Sequence, residues 1–205
     1  MKLTAKFLKL LTPQTGSSSN GNWTKQDFVV ETKETYPKNV VLTNWNNQFD
    51  VAKIKEGSYY DFELLLESKA FNGRYYSSAI IINQPRAIYE GIATMDSGFK
   101  LFQTNVIISN ILPEIKGANW TKRELIFEPI EQEHKTLSAF VINNKIDLLS
   151  FSVGDEVRID FYIESREYGQ KWYTEFKLWK IELIIKGNNG QKQYYKLSDP
   201  DSWPF

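Results

Sequence analysis

Cysteine is absent from this 205-residue chain, and histidine occurs once, at His134. No disulfide framework, thiolate nucleophile or cysteine-based zinc site is therefore available. A single imidazole offers little to a metal or to proton transfer, because both kinds of site draw on several His and acidic residues. No apolar run approaches the length of a membrane span. Near the start, Lys6 and Lys9 break the apolar stretch that a signal peptide needs, so a cytoplasmic protein is expected. Net charge is absent too: 25 Lys and Arg balance 25 Asp and Glu. That balance excludes a global attraction to nucleic acid, and any such binding has to use a local basic strip. No Gly-rich phosphate loop, nucleophile–base pair or metal-ligand cluster is visible. An enzyme is the least supported class, and no cofactor or metal is expected.

What the chain does have is aromatic side chains, 15% of residues, which directs attention to where they sit. It also repeats itself. "NWTKQDFVVE" begins at Asn22 and "NWTKRELIFE" at Asn119, an offset of 97 residues. At that offset Asn46, Asn47 and Asp50 fall on Asn143, Asn144 and Asp147, and Gly57 on Gly154. Glu67-Ser68 falls on Glu164-Ser165, Phe71 on Tyr168, Arg74 on Lys171, and Tyr75-Tyr76 on Trp172-Tyr173. Only the first loop differs in length. Two homologous units follow, over 1–85 and 100–186. Residues 86–99, with Gly91 and Gly98, read as a linker. Residues 187–205 read as a C-terminal tail that opens on the turn signal Asn188-Asn189-Gly190.

Each unit reads as strands. "SYYDFELLLES" places Tyr60, Phe62, Leu64 and Leu66 on one face; "DEVRIDFYIES" does the same with Val157, Ile159, Phe161 and Ile163. A period of two marks a half-buried strand. A short polar turn and another strand follow in both copies, which is a hairpin signal. The only helical stretch to expect is "NQFDVAKIKEG", between strands three and four. Five strands in three-plus-two order, with a short connector after the third, predict an all-β fold of two tandem OB-type barrels. A small β-sandwich is the competing architecture.

These elements resemble a small bacterial OB-type family of uncharacterised domains that is similar to single-stranded DNA-binding proteins. Its pattern is a Trp-x-Lys before strand two and an "ESREY-x-G-x-W-Y" hairpin between strands four and five. Copy two keeps Trp120, Lys122, Glu164, Ser165, Arg166, Glu167, Tyr168, Trp172, Tyr173 and Trp179, with Gly169-Gln170 in place of the usual Asn-Gly turn. Copy one keeps Trp23, Lys25, Glu67, Ser68, Asn72, Gly73, Arg74 and Tyr76, has Lys69-Ala70-Phe71 for Arg-Glu-Tyr, and lacks the late Trp. Members of this family carry one domain, so the tandem is a departure. The tail ends "DPDSWPF", similar to the acidic, Pro-Phe-closed tip on which replication and repair proteins dock in bacterial single-stranded DNA-binding proteins. The resemblance implies a partner-binding tip at Asp199, Asp201, Trp203, Pro204 and Phe205, with two acids and a Trp as departures.

An OB fold binds single strands by stacking bases on aromatics while cations track the phosphates. In copy two the face opposite Phe176 and Leu178 carries Tyr173, Glu175, Lys177 and Trp179, and the hairpin adds Arg166, Tyr168, Lys171 and Trp172. In copy one the matching hairpin offers Lys69, Phe71, Arg74, Tyr75 and Tyr76. Trp23 with Lys25, and Trp120 with Lys122 and Arg123, complete the candidate set. Each has a plainer alternative. Trp23 and Trp120 at the head of strand two suit plugs for the barrel end, and Trp45, which matches Ile142, reads as an apolar packing position. Glu67 and Glu164 suit a structural hydrogen bond, and His134 an idle place in a polar loop. Unit one carries +2 and unit two −1, so moderate, salt-sensitive binding is expected. The function this supports is sequence-independent coating of single-stranded DNA, with partner recruitment through the tip and a homodimer by analogy. The rivals are an OB assembly module without nucleic acid and a binder of RNA or oligosaccharide.

Overall fold

The computed structural model describes residues 1–88, 101–132 and 134–187. Most of the expected linker, the tail from 188, and with it Asp199, Asp201, Trp203, Pro204 and Phe205 lie outside the described residues. The first unit contains β1 (Lys2–Leu10), β2 (Gln14–Ser18), β3 (Gly21–Thr32), β4 (Asn39–Trp45), β5 (Tyr59–Phe71), β6 (Arg74–Ile81) and β7 (Arg86–Ile88). The second contains β8 (Phe102–Ile111), β9 (Ile115–Lys116), β10 (Thr121–Pro129), β11 (Leu137–Ile142), β12 (Glu156–Tyr168) and β13 (Lys171–Ile185).

Both units close into five-stranded OB barrels. In the first, β1 pairs antiparallel with β3 and β5, β3 with β4, and β5 with β6, and β4 closes on β6 in parallel. In the second, β8, β10, β11, β13 and β12 close the same way, with β11 parallel to β13. Closure pairs the barrel strands on both sides, while the ends of the β5–β6 and β12–β13 hairpins project beyond the barrels. The alternating apolar residues fill the barrels: Phe28 packs at 5.9 Å from each of Phe7, Phe49 and Phe62, and Phe161 at 5.7 Å from Phe176. The helical stretch between strands three and four reduces to one 3-10 turn, Val51–Lys53, capped by Asp50. Both hairpin turns, Asn72-Gly73 and Gly169-Gln170, hold two successive positive φ values, as a tight two-residue turn requires. Copy two thus keeps the turn despite its altered dipeptide.

Three local differences from the sequence reading matter. The first loop of unit one is itself a hairpin, β2 against β3, which places Trp23 inside a strand. Residues 86–88, expected in the linker, form β7 and pair with Tyr59–Asp61 of β5. In unit two the equivalent place is filled by β13 running on without a break. It does so through two bulges, where Trp179 and Ile184 are the extra residues opposite β12.

The units join through their long hairpins, β5–β6 and β12–β13. The Val41 backbone N–H donates to Ser165 Oγ at 2.8 Å, and the equivalent Ser138 N–H donates to Ser68 Oγ at 2.9 Å. Each serine also shares a hydroxyl hydrogen bond within its own hairpin, Ser68 with Ser77 and Ser165 with Thr174, both at 2.8 Å. Val41 and Phe140 point outward from their barrels yet are buried, on strands that the opposite hairpin touches. Lys135 Nζ reaches Glu67 Oε2 at 2.6 Å, and Lys9 Nζ lies 5.7 Å from the Trp172 ring centre.

Candidate nucleic-acid interface

Strand pairing sorts each hairpin into two faces, because directly opposed residues of a ladder project to one side. Lys69 opposes Tyr76 and Phe71 opposes Arg74 in the first hairpin. Arg166 opposes Tyr173 and Tyr168 opposes Lys171 in the second. These are equivalent positions of the repeat, so each hairpin presents two cations and two aromatics on one side. Phe71 and Tyr76 are each 45% exposed with rings 6.5 Å apart, Tyr173 is 44% exposed, and Tyr168 80%. Rings left this wet contribute little to a core.

The other side of each hairpin clasps the opposite unit. Besides the two serines it carries Tyr75 and Trp172, both half-buried. Trp172 lies against Lys9 of the first unit. Burial, and next the Glu124 carboxylate of the second unit, push the Tyr75 hydroxyl pKa up. Tyr75 and Trp172 therefore stand away from the open face that holds their immediate neighbours Tyr76 and Tyr173.

At the loop ends of the barrels the two indoles lie against the loops and not inside the barrels. A Cβ at Gly16 would stand 2.4 Å from the Trp23 ring, and one at Gly117 2.3 Å from the Trp120 ring, so only glycine allows these contacts. Trp120 is 46% exposed. It borders a shallow depression of about 390 Å3 shared with Lys116, Asn119, Asn143 and Asn144. Trp45 is half-buried and packs edge-on to Trp23 at 5.7 Å, outside the core that holds Phe49. Lys25 lies 6.0 Å from the Trp45 ring centre and 2.7 Å from Asp27. The repeated Asn46 and Asn143 are explained locally: their side-chain oxygens accept the Thr24 and Thr121 N–H groups at 2.9 and 3.0 Å.

Acids hold four candidate cations of unit two, Arg166, Lys177, Lys122 and Arg123. Glu164 accepts from Arg166 Nε and Lys177 Nζ, both at 2.6 Å. Burial alone would push this carboxyl up, but the Arg166 and Lys177 hydrogen bonds outweigh it and hold it below the ordinary carboxylate range. Lys122 lies 3.3 Å from Glu175 and 3.8 Å from the Phe140 ring centre, and Arg123 lies 3.9 Å from Glu114. Trp179, the bulged residue of β13, is 53% exposed. Sequence reasoning missed Lys9, Trp45 and Phe140 as neighbours of these groups. Only the match of Trp45 with Ile142, just ahead of the repeated Asn pair, pointed to one of them.

The family model described as Domain of unknown function (DUF3127) matches this chain twice, over residues 2–82 and 103–182. No curated protein matches. Among solved structures, the wild-type single-stranded DNA binding protein from Thermus aquaticus is similar with a TM-score of 0.58 at 10% identity, over 93% of this chain and 95% of that one. A deletion variant of that protein gives 0.53 at 10% identity, over 93% and 97%. At such identity the likeness is one of fold.

Proposed function

The chain belongs to the family described as Domain of unknown function (DUF3127), as a tandem of two copies, and we propose that it binds single-stranded DNA without sequence preference. The observation that carries this reading is the pair of equivalent hairpin faces, each with two exposed aromatics beside two cations. Bases stack on such rings whatever their identity, for about 1–3 kcal/mol each, while the cations meet phosphates. Trp120 with Lys122, and Trp23 with Lys25, extend the surface onto strand two and the first loop, where OB folds bind oligonucleotides. The fold shared with the Thermus aquaticus protein supports the same reading. Recruitment of replication or repair proteins through Asp199, Asp201, Trp203, Pro204 and Phe205 belongs to the proposal on its sequence resemblance alone.

The test is fluorescence anisotropy with a labelled oligo-dT long enough to engage both hairpin faces at once. Tyr76→Ala and Tyr173→Ala should each weaken binding about fivefold or more. Unchanged affinity in the folded double variant would refute the stacking role. One observation favours an assembly module instead. The outer faces of β4 and β11 are covered by the opposite hairpins, and acids already hold Arg166, Lys177 and Lys122. A folded protein that ignores oligo-dT at low salt would select that reading.

A further inference from the structure

Resting on the single-strand reading above, we infer that each binding site is composite: the hairpin of one unit forms one wall, and the loop end of the other unit's barrel forms the other. The second hairpin crosses the outside of the first barrel. Its Ser165 sits at Val41 on β4, and its Trp172 sits at Lys9 on β1. Val41, Val29 and Lys9 stand abreast across β4, β3 and β1, so the hairpin runs across the strands with its clasping side inward. From Val29, the same outward side of β3 continues through Asp27 to Lys25 and Trp23. Four residues of strand span about 13 Å, so Lys25 lies just beyond the edge of the hairpin.

The first hairpin repeats the arrangement on the second barrel. Ser68 sits at Ser138 on β11, and Ser138 stands abreast of Ile126 on β10, two residues from Glu124 on the same outward side. From Glu124 the outward side of β10 leads to Lys122 and then Trp120. The open face with Phe71, Arg74 and Tyr76 is therefore carried toward Trp120 and Lys122 of the other unit, where Lys122 also pairs with Glu175 of its own unit's hairpin. The face with Tyr168, Lys171 and Tyr173 adjoins Trp23 and Lys25.

The pairing is tested in the full chain with an oligo-dT of about eight nucleotides, within the roughly 4–16 that one OB fold covers. Wild type should bind two such strands. One variant joins Phe71→Ala and Tyr76→Ala with Trp120→Ala, all in one composite site, and should keep a single strand per chain at wild-type affinity. The other joins the same hairpin changes with Trp23→Ala, which injures both sites. It should leave no strand at wild-type affinity, with both dissociation constants raised at least fivefold. Because the indoles pack on Gly117 and Gly16, the experiment is repeated with Lys122→Gln and Lys25→Gln in place of the Trp changes. Self-contained units would exchange the two outcomes and overturn the composite site while leaving the single-strand reading intact. A wild type that binds no oligo-dT would overturn both.

Discussion

Ser68 and Ser165 each place a buried hydroxyl where the opposite unit has a backbone N–H to satisfy. Neither is replaceable by a small apolar residue, because a buried amide left without an acceptor costs about 1–3 kcal/mol. Ser165→Ala strands the Val41 N–H and Ser68→Ala strands the Ser138 N–H, at equivalent points of the repeat. Each should therefore lower the unfolding free energy by about 1–2 kcal/mol in urea titration. Variants as stable as wild type would show that water or a shifted hairpin replaces the hydroxyl. The contact between Lys9 and Trp172 adds less, about 0.5–1 kcal/mol for a partly exposed cation over a ring.

In unit two one acid ties the residues after β13 to the start of β12. The Asp155 side chain, just ahead of β12, is 1% exposed. It accepts from Lys186 Nζ at 2.8 Å and from the Gly187 and Ser152 backbone N–H groups, each at 2.9 Å. Burial alone would raise its pKa, but these donors outweigh burial and hold it below the ordinary 3.8. A carboxyl with a depressed folded pKa stabilises above its unfolded value and loses that contribution as pH falls through the folded one. Asp155→Asn should therefore melt below wild type at pH 7, and the gap should narrow as pH drops below about 4. A gap that is constant with pH would mean that the carboxylate charge contributes nothing. At this scale much was legible in sequence. The period of two in Tyr60–Leu66 and Val157–Ile163 marked the barrel strands, and the three-plus-two order marked the closure. The bulge at Trp179 was not legible, because no glycine signals it. Nor was the division of labour between Tyr75 and Tyr76. Two adjacent tyrosines look alike until the strand pairing shows which one faces the other unit.

At the scale of the molecule, the repeat behaves as a fused pair whose halves clasp each other with their hairpins. The repeat itself was plain from the 97-residue offset, but the clasp was hidden, since Ser68 and Ser165 look like ordinary strand-end polar residues. The clasp leaves the two aromatic–cation faces open, and within unit two the acids Glu164 and Glu175 stand beside the cations. Phosphates have to compete with those carboxylates, so binding should be moderate and strongly weakened by salt. The most direct measurement is a tryptophan-fluorescence titration of the full chain with oligo-dT at about 50 and about 200 mM salt. Stacking near Trp120 and Trp179 should quench emission, and the affinity should fall at the higher salt. A folded protein with unchanged emission and no bound oligo-dT at the lower salt would contradict single-strand binding and leave the hairpin faces to a protein partner.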